Sequence, residues 1–319
     1  MFSLPTDYWG AIDMQHARRF GTYPLIASVL AFFAPSSWAL QLDQDVQALV
    51  NKSKANLIFI KGGTFKMGDF GAITTQDKLP YTTQDESKPL HDVELDSFSI
   101  GKYKVTYEDF DVYSKATNTQ KIGELKANRE YRTIANVPAG VNWQEAKNYC
   151  LWLRKISSLP FDLPTEAQWE YAARSGGKFH PWATDNGQYE EGRNVANYDQ
   201  REKMMPKIAS PLVYPVGKYP PNPIGLYDMS SNGTDWVNDW FSATYYEESP
   251  RRNPTGPTSG TEKVKRGIEL DYATALTMYR QKSKPAKEIS YLDRTPISDR
   301  HPESGFRCVV NSPKPINVK

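Results

Sequence analysis

The sequence predicts a single mixed α+β domain with little regular secondary structure, on three observations. Short stretches alternate apolar and polar residues at the period of two that a half-buried strand requires. Three segments open on a capping residue followed three positions later by an acidic or amide side chain, the mark of a helix N-terminus. Pro and Gly, at 23 and 20 residues, punctuate a chain in which eight Trp and nineteen Tyr are available to anchor loops. With 39% hydrophobic residues the chain is long enough to bury one large core. Its 39 basic and 37 acidic side chains leave a net charge of only +2, with no basic run, so nucleic-acid binding is not expected.

The first segment reads as a leader. Arg18 and Arg19 precede an apolar run from Tyr23 to Phe33, and Ser37-Trp38-Ala39 supplies small residues for cleavage. Residues 1–39 are therefore expected to be a leader with a secretory signal peptide, translated from Met14, and the mature chain to begin near Leu40 in the periplasm. The run is far shorter than the roughly 20 residues of a membrane-spanning helix, and Pro35 and the polar residues from Gln41 follow at once, so no transmembrane anchor is expected after processing. An oxidising compartment favours a disulfide between Cys150 and Cys308 over two buried free thiols, and no C-x-x-C spacing suggests zinc or dithiol chemistry.

Residues 40–56 form an expected helical extension, because Val46, Leu49 and Val50 recur at helical spacing. Leu57–Ile60 and Thr64–Met67 read as two strands of a hairpin around Gly62-Gly63. Asp69 to Lys88 is polar, Pro-containing and aperiodic, hence a surface loop, and His91–Ile100 alternates like one half-buried strand. Thr106 with Asp109, Asn142 with Glu145 and Thr165 with Gln168 start three helices, the third stopping at Gly176-Gly177. Beyond Phe179 the chain reads as mostly loop until Ser304–Val310 supplies a closing strand. No repeat or linker divides residues 57–312, and residues 313–319 form a tail.

A series of short blocks runs through this domain. Gly62-Gly-Thr-Phe-Lys-Met-Gly68, Lys104-Val-Thr106, Val141-Asn-Trp143, Leu163-Pro-Thr-Glu-Ala-Gln-Trp-Glu-Tyr-Ala-Ala-Arg174, Gly225-Leu-Tyr-Asp-Met229, Asp235-Trp236, Asp239-Trp240, Arg266-Gly267 and Gly305-Phe-Arg307 occur in one order over nearly the whole mature chain. In that order they resemble the formylglycine-generating enzyme family, the sulfatase-modifying factors. The resemblance implies a compact α+β fold related to C-type lectins and often steadied by calcium.

What the resemblance implies about chemistry is mixed. Family enzymes oxidise a sulfatase cysteine with two active-site cysteines that bind copper, in a stretch matched here by Leu276–Pro285, which contains no cysteine. Copper(I) needs soft thiolate ligands, so no copper and no formylglycine-generating activity are expected. Arg266-Gly-Ile-Glu269 departs from the family's Arg-Gly-Gly-Ser block. Cys150 and Cys308 match a structural bridge of some members. The four histidines, His16, His91, His180 and His301, are scattered and do not suggest the iron ligation of a related branch. The resemblance puts structural calcium ligands at Asp228, the carbonyls of Ser231 and Gly233, and Asp235, with a second site surviving only at Asn197-Tyr198.

A fold kept while its catalytic thiols are absent points toward binding. The expectation is a non-catalytic periplasmic recognition protein, in its specific form an immunity-type inhibitor of an antibacterial toxin acting in the periplasm. The expected binding surface is Tyr245, Tyr246, Arg251, Glu269, Tyr279 and Arg280, since Tyr and Arg dominate binding hot spots. The alternative is a periplasmic oxidase-like enzyme of the kind that matures the siderophore pyoverdine, with Glu269 and Asp271 as acid/base candidates by position.

Overall fold

The computed structural model describes residues 37–124, 126–268, 273–286, 288–289, 296–297 and 302–317. Of the expected leader, residues 1–36 lie outside these, as do Glu269 and Asp271. Helix α1 (Ser37–Ala55) begins before the expected processing point, so cleavage after Ala39 would fall in its first turn. Among the described residues no helix is long and apolar enough to cross a membrane.

The remaining helices are α2 (Gly71–Thr74), α3 (Tyr107–Thr117), α4 (Lys126–Arg129), α5 (Trp143–Ser157), α6 (Glu166–Ala173), α7 (Tyr198–Met204) and α8 (Tyr245–Glu248). The three expected helix starts are reciprocal capping boxes in α3, α5 and α6: Thr106, Asn142 and Thr165 each accept from the amide three residues on. A fourth, Asn197 with Gln200, opens α7. Asn197, expected at a second calcium site, is therefore a helix cap whose side-chain oxygen accepts from the Gln200 amide at 2.9 Å.

The strands organise differently from the sequence expectation. β1 (Leu57–Ile60) and β2 (Gly63–Met67) do not pair with one another: β1 runs antiparallel to β4 (Phe98–Gly101) and β2 to β3 (His91–Leu95). The reason is steric. Gly62 lies so close to the backbone of the returning chain that a Cβ there would stand 2.2 Å from the Leu95 carbonyl oxygen, so the chain crosses at this point and changes partner. The single strand expected over 91–100 is accordingly broken at Asp96-Ser97.

The region beyond Phe179, read as mostly loop, contains the central strand pair β6 (Thr234–Trp240) and β7 (Lys263–Gly267), flanked by β8 (Gln281–Ser283). Both long strands are buried on both faces, so neither shows the period-two alternation of a half-buried strand. Glu288–Ile289 and Pro296–Ile297 form a small antiparallel ribbon, β9 and β10. The closing segment splits: β11 (Ser304–Gly305) pairs parallel with β6, and β12 (Val309–Val310) lies between β4 and β5 (Phe161–Asp162).

The Gly305-Phe-Arg-Cys308 block thus carries the chain from one four-stranded sheet to the other. Phe306 packs edge-on against Phe110 and Tyr149, the aromatic core between α3 and α5. Cys308 is disulfide-bonded to Cys150 on α5, with Cα atoms 5.8 Å apart, as expected from the sequence. On the other side, α6 buries Ala167, Trp169, Ala172 and Ala173 against β2, β6 and β7.

Candidate functional site

Helix α6 brings charge into the middle of the fold. Glu166, Glu170 and Arg174 are spaced four apart and so share one helix face, and all three are buried. Arg266 of β7 reaches both carboxylates, at 2.9 Å to each. Arg280, from the segment matched to the family's catalytic stretch, grips Glu166 with two nitrogens at 2.8 and 3.0 Å. Glu170 also takes Arg174 at 2.9 Å and the Gly68 amide at 2.9 Å. Burial would push the Glu166 carboxyl up, but the Arg280 and Arg266 charges outweigh it and hold it below the usual range.

Asp239 of β6 is the exception in this cluster. Its carboxylate accepts from the Glu166 amide at 2.8 Å, but burial and then the neighbouring Glu166 charge push its pKa up to about 7. The network fixes three loops at once. Arg280 donates to the carbonyls of Glu86 and Ser242, and Arg266 donates to that of Thr277. Buried charges paired in this way hold the loops in position.

The sequence-derived calcium loop has a different occupant. Asp235 is fully buried and takes the Lys104 ammonium at 3.0 Å, the Arg307 guanidinium at 2.9 Å and the Trp169 indole at 3.0 Å. Burial raises its pKa, yet Arg307 and Lys104 outweigh that and lower it, so the carboxylate is charged and already neutralised. Asp228 accepts from the Gly217 amide at 2.9 Å, and Asn232 clamps Tyr214 through both its amide and its carbonyl, at 2.8 and 2.9 Å. Asp228 and Asn232 both have positive φ, 59° and 57°. Ser231 and Gly233 sit within this hydrogen-bonded turn, and a Cβ at Gly233 would meet the Glu303 carbonyl oxygen at 2.5 Å. With two cations on Asp235, this donor set does not fit a divalent ion.

The expected binding surface is corrected in part. Tyr245, Tyr246 and Arg280 are buried: the Arg280 guanidinium stacks 4.4 Å from the Tyr246 ring, and the Tyr245 hydroxyl accepts from the Gly256 amide at 3.1 Å. These aromatics tie loops to the core, as amphipathic rings do when a partner for the hydroxyl is within reach. Arg251 is exposed and Tyr279 half-buried; Glu269 lies outside the described residues.

Sequence reasoning did not mark the apolar side chains that do stand in water. Ile73 is 59% exposed, Leu79 58% and Phe179 45%. Phe179 lies 5.2 Å from the ring of Phe70, which is fully buried. The available signal was the length of the 69–88 loop, since a structureless stretch of about 20 residues in a compact domain usually has a task.

Two four-stranded sheets and two two-stranded ones, with a buried charged helix among them, define a mixed α+β domain. The chain belongs to the family described as sulfatase-modifying factor enzyme 1-like, whose model matches residues 43–312. It is 30% identical to the formylglycine-generating enzyme of Streptomyces coelicolor, over 68% of this chain and 79% of that one. It is 29% identical to the serine/threonine-protein kinase pkn1 of Chlamydia caviae over 66% of this chain, spanning only 32% of the kinase. A bovine relative described as an inactive C-alpha-formylglycine-generating enzyme 2 is 23% identical over 84% of this chain and 92% of its own. The solved structure of PvdO from Pseudomonas aeruginosa superposes with a TM-score of 0.61 at 27% identity, over 80% of this chain and 93% of the other.

Proposed function

We propose that this chain is an exported, non-catalytic recognition protein on the formylglycine-generating-enzyme fold, and specifically an immunity-type inhibitor that binds an antibacterial toxin acting in the periplasm. One observation carries the non-catalytic part. The chain has two cysteines, and they are bonded to each other between α5 and the closing segment. Thiol-based copper and oxygen chemistry needs a free soft sulfur, and this chain has none to offer. The buried Arg280–Glu166 pair lies where the family resemblance expects the reacting groups, and it braces loops instead of leaving a vacancy. The bovine relative described as inactive supports the same direction.

The test is a pair of assays on the mature protein. Incubated with copper, oxygen and a cysteine-containing sulfatase peptide, it should leave the cysteine unconverted. Expressed in the periplasm of its own host and purified, it should retain one protein at one-to-one stoichiometry whose toxicity it suppresses on co-expression. Peptide conversion would overturn the non-catalytic reading; a stoichiometric partner that remains toxic would overturn the inhibitor reading. A second reading, an oxidase-like role in siderophore maturation, is favoured by the likeness to PvdO, and oxygen consumption on adding a siderophore precursor would support it.

A further inference from the structure

We propose that the cavity walled by the end of α1, the approach to α3 and the side of α5 binds an amphipathic anion, with its apolar body among the cavity's aliphatic side chains and its charged end on Lys218. The proposal goes beyond the recognition reading and does not depend on it. The cavity measures about 740 Å³, within the roughly 300 to 1,000 Å³ of small-molecule sites. None of its lining residues comes from the buried charge cluster on α6 or from the 276–285 stretch matched to the family's catalytic segment.

The walls are apolar and already in place. Leu57, Val105, Ile134 and Met204 pack against the core that holds Tyr149 and Phe161, yet each is only half-buried and lines the cavity. Just after α1 and β4, the Lys102 amide donates to the Asn56 carbonyl at 2.8 Å. The Val216 amide donates to the Asn136 carbonyl at 2.9 Å, and the Asn136 amide donates to the Glu108 carboxylate at 3.1 Å. Gly217, at a φ of 72°, lies so close to the Tyr103 ring that a Cβ there would stand 2.7 Å from it. A recess formed before its ligand arrives loses little conformational entropy when it is filled.

Charge selects the sign of the ligand. Among the charged side chains of the lining, Lys52 and Asp109 neutralise one another at 2.6 Å, and Lys104 is buried against Asp235 at 3.0 Å. Lys218 remains, exposed and in no ion pair among the described residues. Lys102, also in no ion pair among them, adds a second cation at the same place: its ammonium lies 5.1 Å from the centre of the Tyr103 ring, against which Gly217 packs. Two carboxylates outside the lining are engaged by backbone, Glu108 by the Asn136 amide and Asp228, 7% exposed, by the Gly217 amide at 2.9 Å. An anionic end group placed here gains a charge-assisted hydrogen bond from Lys218, which a cationic or uncharged amphiphile of the same length would not.

The full chain is titrated with the fluorescent fatty acid cis-parinarate, and the bound probe is displaced with dodecanoate, dodecanol or dodecyltrimethylammonium. Parinarate should saturate at one-to-one stoichiometry, and dodecanoate should compete at least tenfold better than either of the other two. Lys218→Glu should weaken both anions at least tenfold without moving the thermal melting point. Ile134→Trp and Val216→Trp fill the recess from two of its walls, and each should abolish binding. Equal or better competition by the cation, or an unchanged affinity in Lys218→Glu, would overturn the charged end. Binding that survives both tryptophan changes, in protein that melts as the wild type does, would overturn the cavity. No saturable binding of parinarate would overturn the proposal outright. Lys218→Glu alters an exposed side chain, so it reads the site even where a tryptophan variant fails to fold. The result is separate from the partner and peptide assays above, so failure of the recognition reading and failure of this site are told apart.

Discussion

Removing the disulfide by the paired change Cys150→Ala and Cys308→Ala should cost a large share of the fold's stability. The bonded residues are 158 apart in sequence. Closing a loop of that length removes chain entropy from the unfolded state worth about 5 kcal/mol at 25 °C in the loop-closure model. Cys150 is fully buried and Cys308 nearly so, so replacing both with Ala adds a small cavity to that figure. A pair is specified because a single change would leave a lone thiol free to form intermolecular bridges. The assay is urea unfolding followed by tryptophan fluorescence. With a slope of about 3 kcal/mol per molar, the midpoint should fall by roughly 1.7 M. Wild-type protein unfolded in the presence of a reductant should match the alanine pair. If the pair instead unfolded within about 1 kcal/mol of the wild type, the bridge would not constrain the unfolded chain as argued. The joint of α5 to the closing segment would then rest on the Phe110, Tyr149 and Phe306 packing and on the pairing of β12 with β5.

Three further outcomes follow from the buried charges. Asp239 has its pKa raised to about 7. The folded state therefore holds this proton more tightly than the unfolded chain; the stabilisation is complete below the ordinary carboxyl pKa near 3.8 and is lost as pH rises through about 7. Asp239→Asn should remove this pH dependence and melt higher than wild type at pH 8 and not at pH 4, by up to about 4 kcal/mol; a variant that is less stable at pH 8 would mean the carboxylate is ionised and paired. Glu166→Gln leaves Arg280 and Arg266 short of their charge partner and should destabilise by about 3 to 5 kcal/mol in urea unfolding; combining it with Arg280→Met should cost less than the two changes summed. Because Asp235 is neutralised by Lys104 and Arg307, millimolar calcium or EDTA should shift the melting temperature by less than about 1 °C, whereas a shift of several degrees would reveal a bound ion.

Local signals carried well where the physics is local. The capping boxes at Thr106, Asn142 and Thr165 were readable because a cap depends on side chains three residues apart and on little else. The same pattern at Asn197 was read as a remnant metal site, since an Asn side chain that accepts an amide and one that could face a cation look alike in one dimension. Strand pairing was not readable in this way. Gly62-Gly63 between two apolar runs has the grammar of a hairpin, and only the close approach of the 95–97 backbone sends β1 and β2 to different partners.

The candidate surface divides along the same line. Tyr and Arg content suggested Tyr245, Tyr246 and Arg280, but composition cannot tell a ring that binds a partner from one that seals a loop, and here burial assigns all three to sealing. Ile73, Leu79 and Phe179 are ordinary apolar residues in sequence; around them the Asp69 carboxylate accepts the Gly71 and Thr82 amides and the Arg174 guanidinium stacks on the Phe70 and Phe179 rings, contacts between segments up to about a hundred residues apart.

Residue order and composition alone were enough to define the α+β class, the family blocks, the helix starts and the pairing of the two cysteines, since each depends on neighbours along the chain or on a count of two. The sheet partners of β1 and β2, the neutralisation of Asp235 and the exposure of Ile73, Leu79 and Phe179 came from the folded structure, because each arises where distant segments meet and the strength of a charge or an apolar contact is set by what surrounds it.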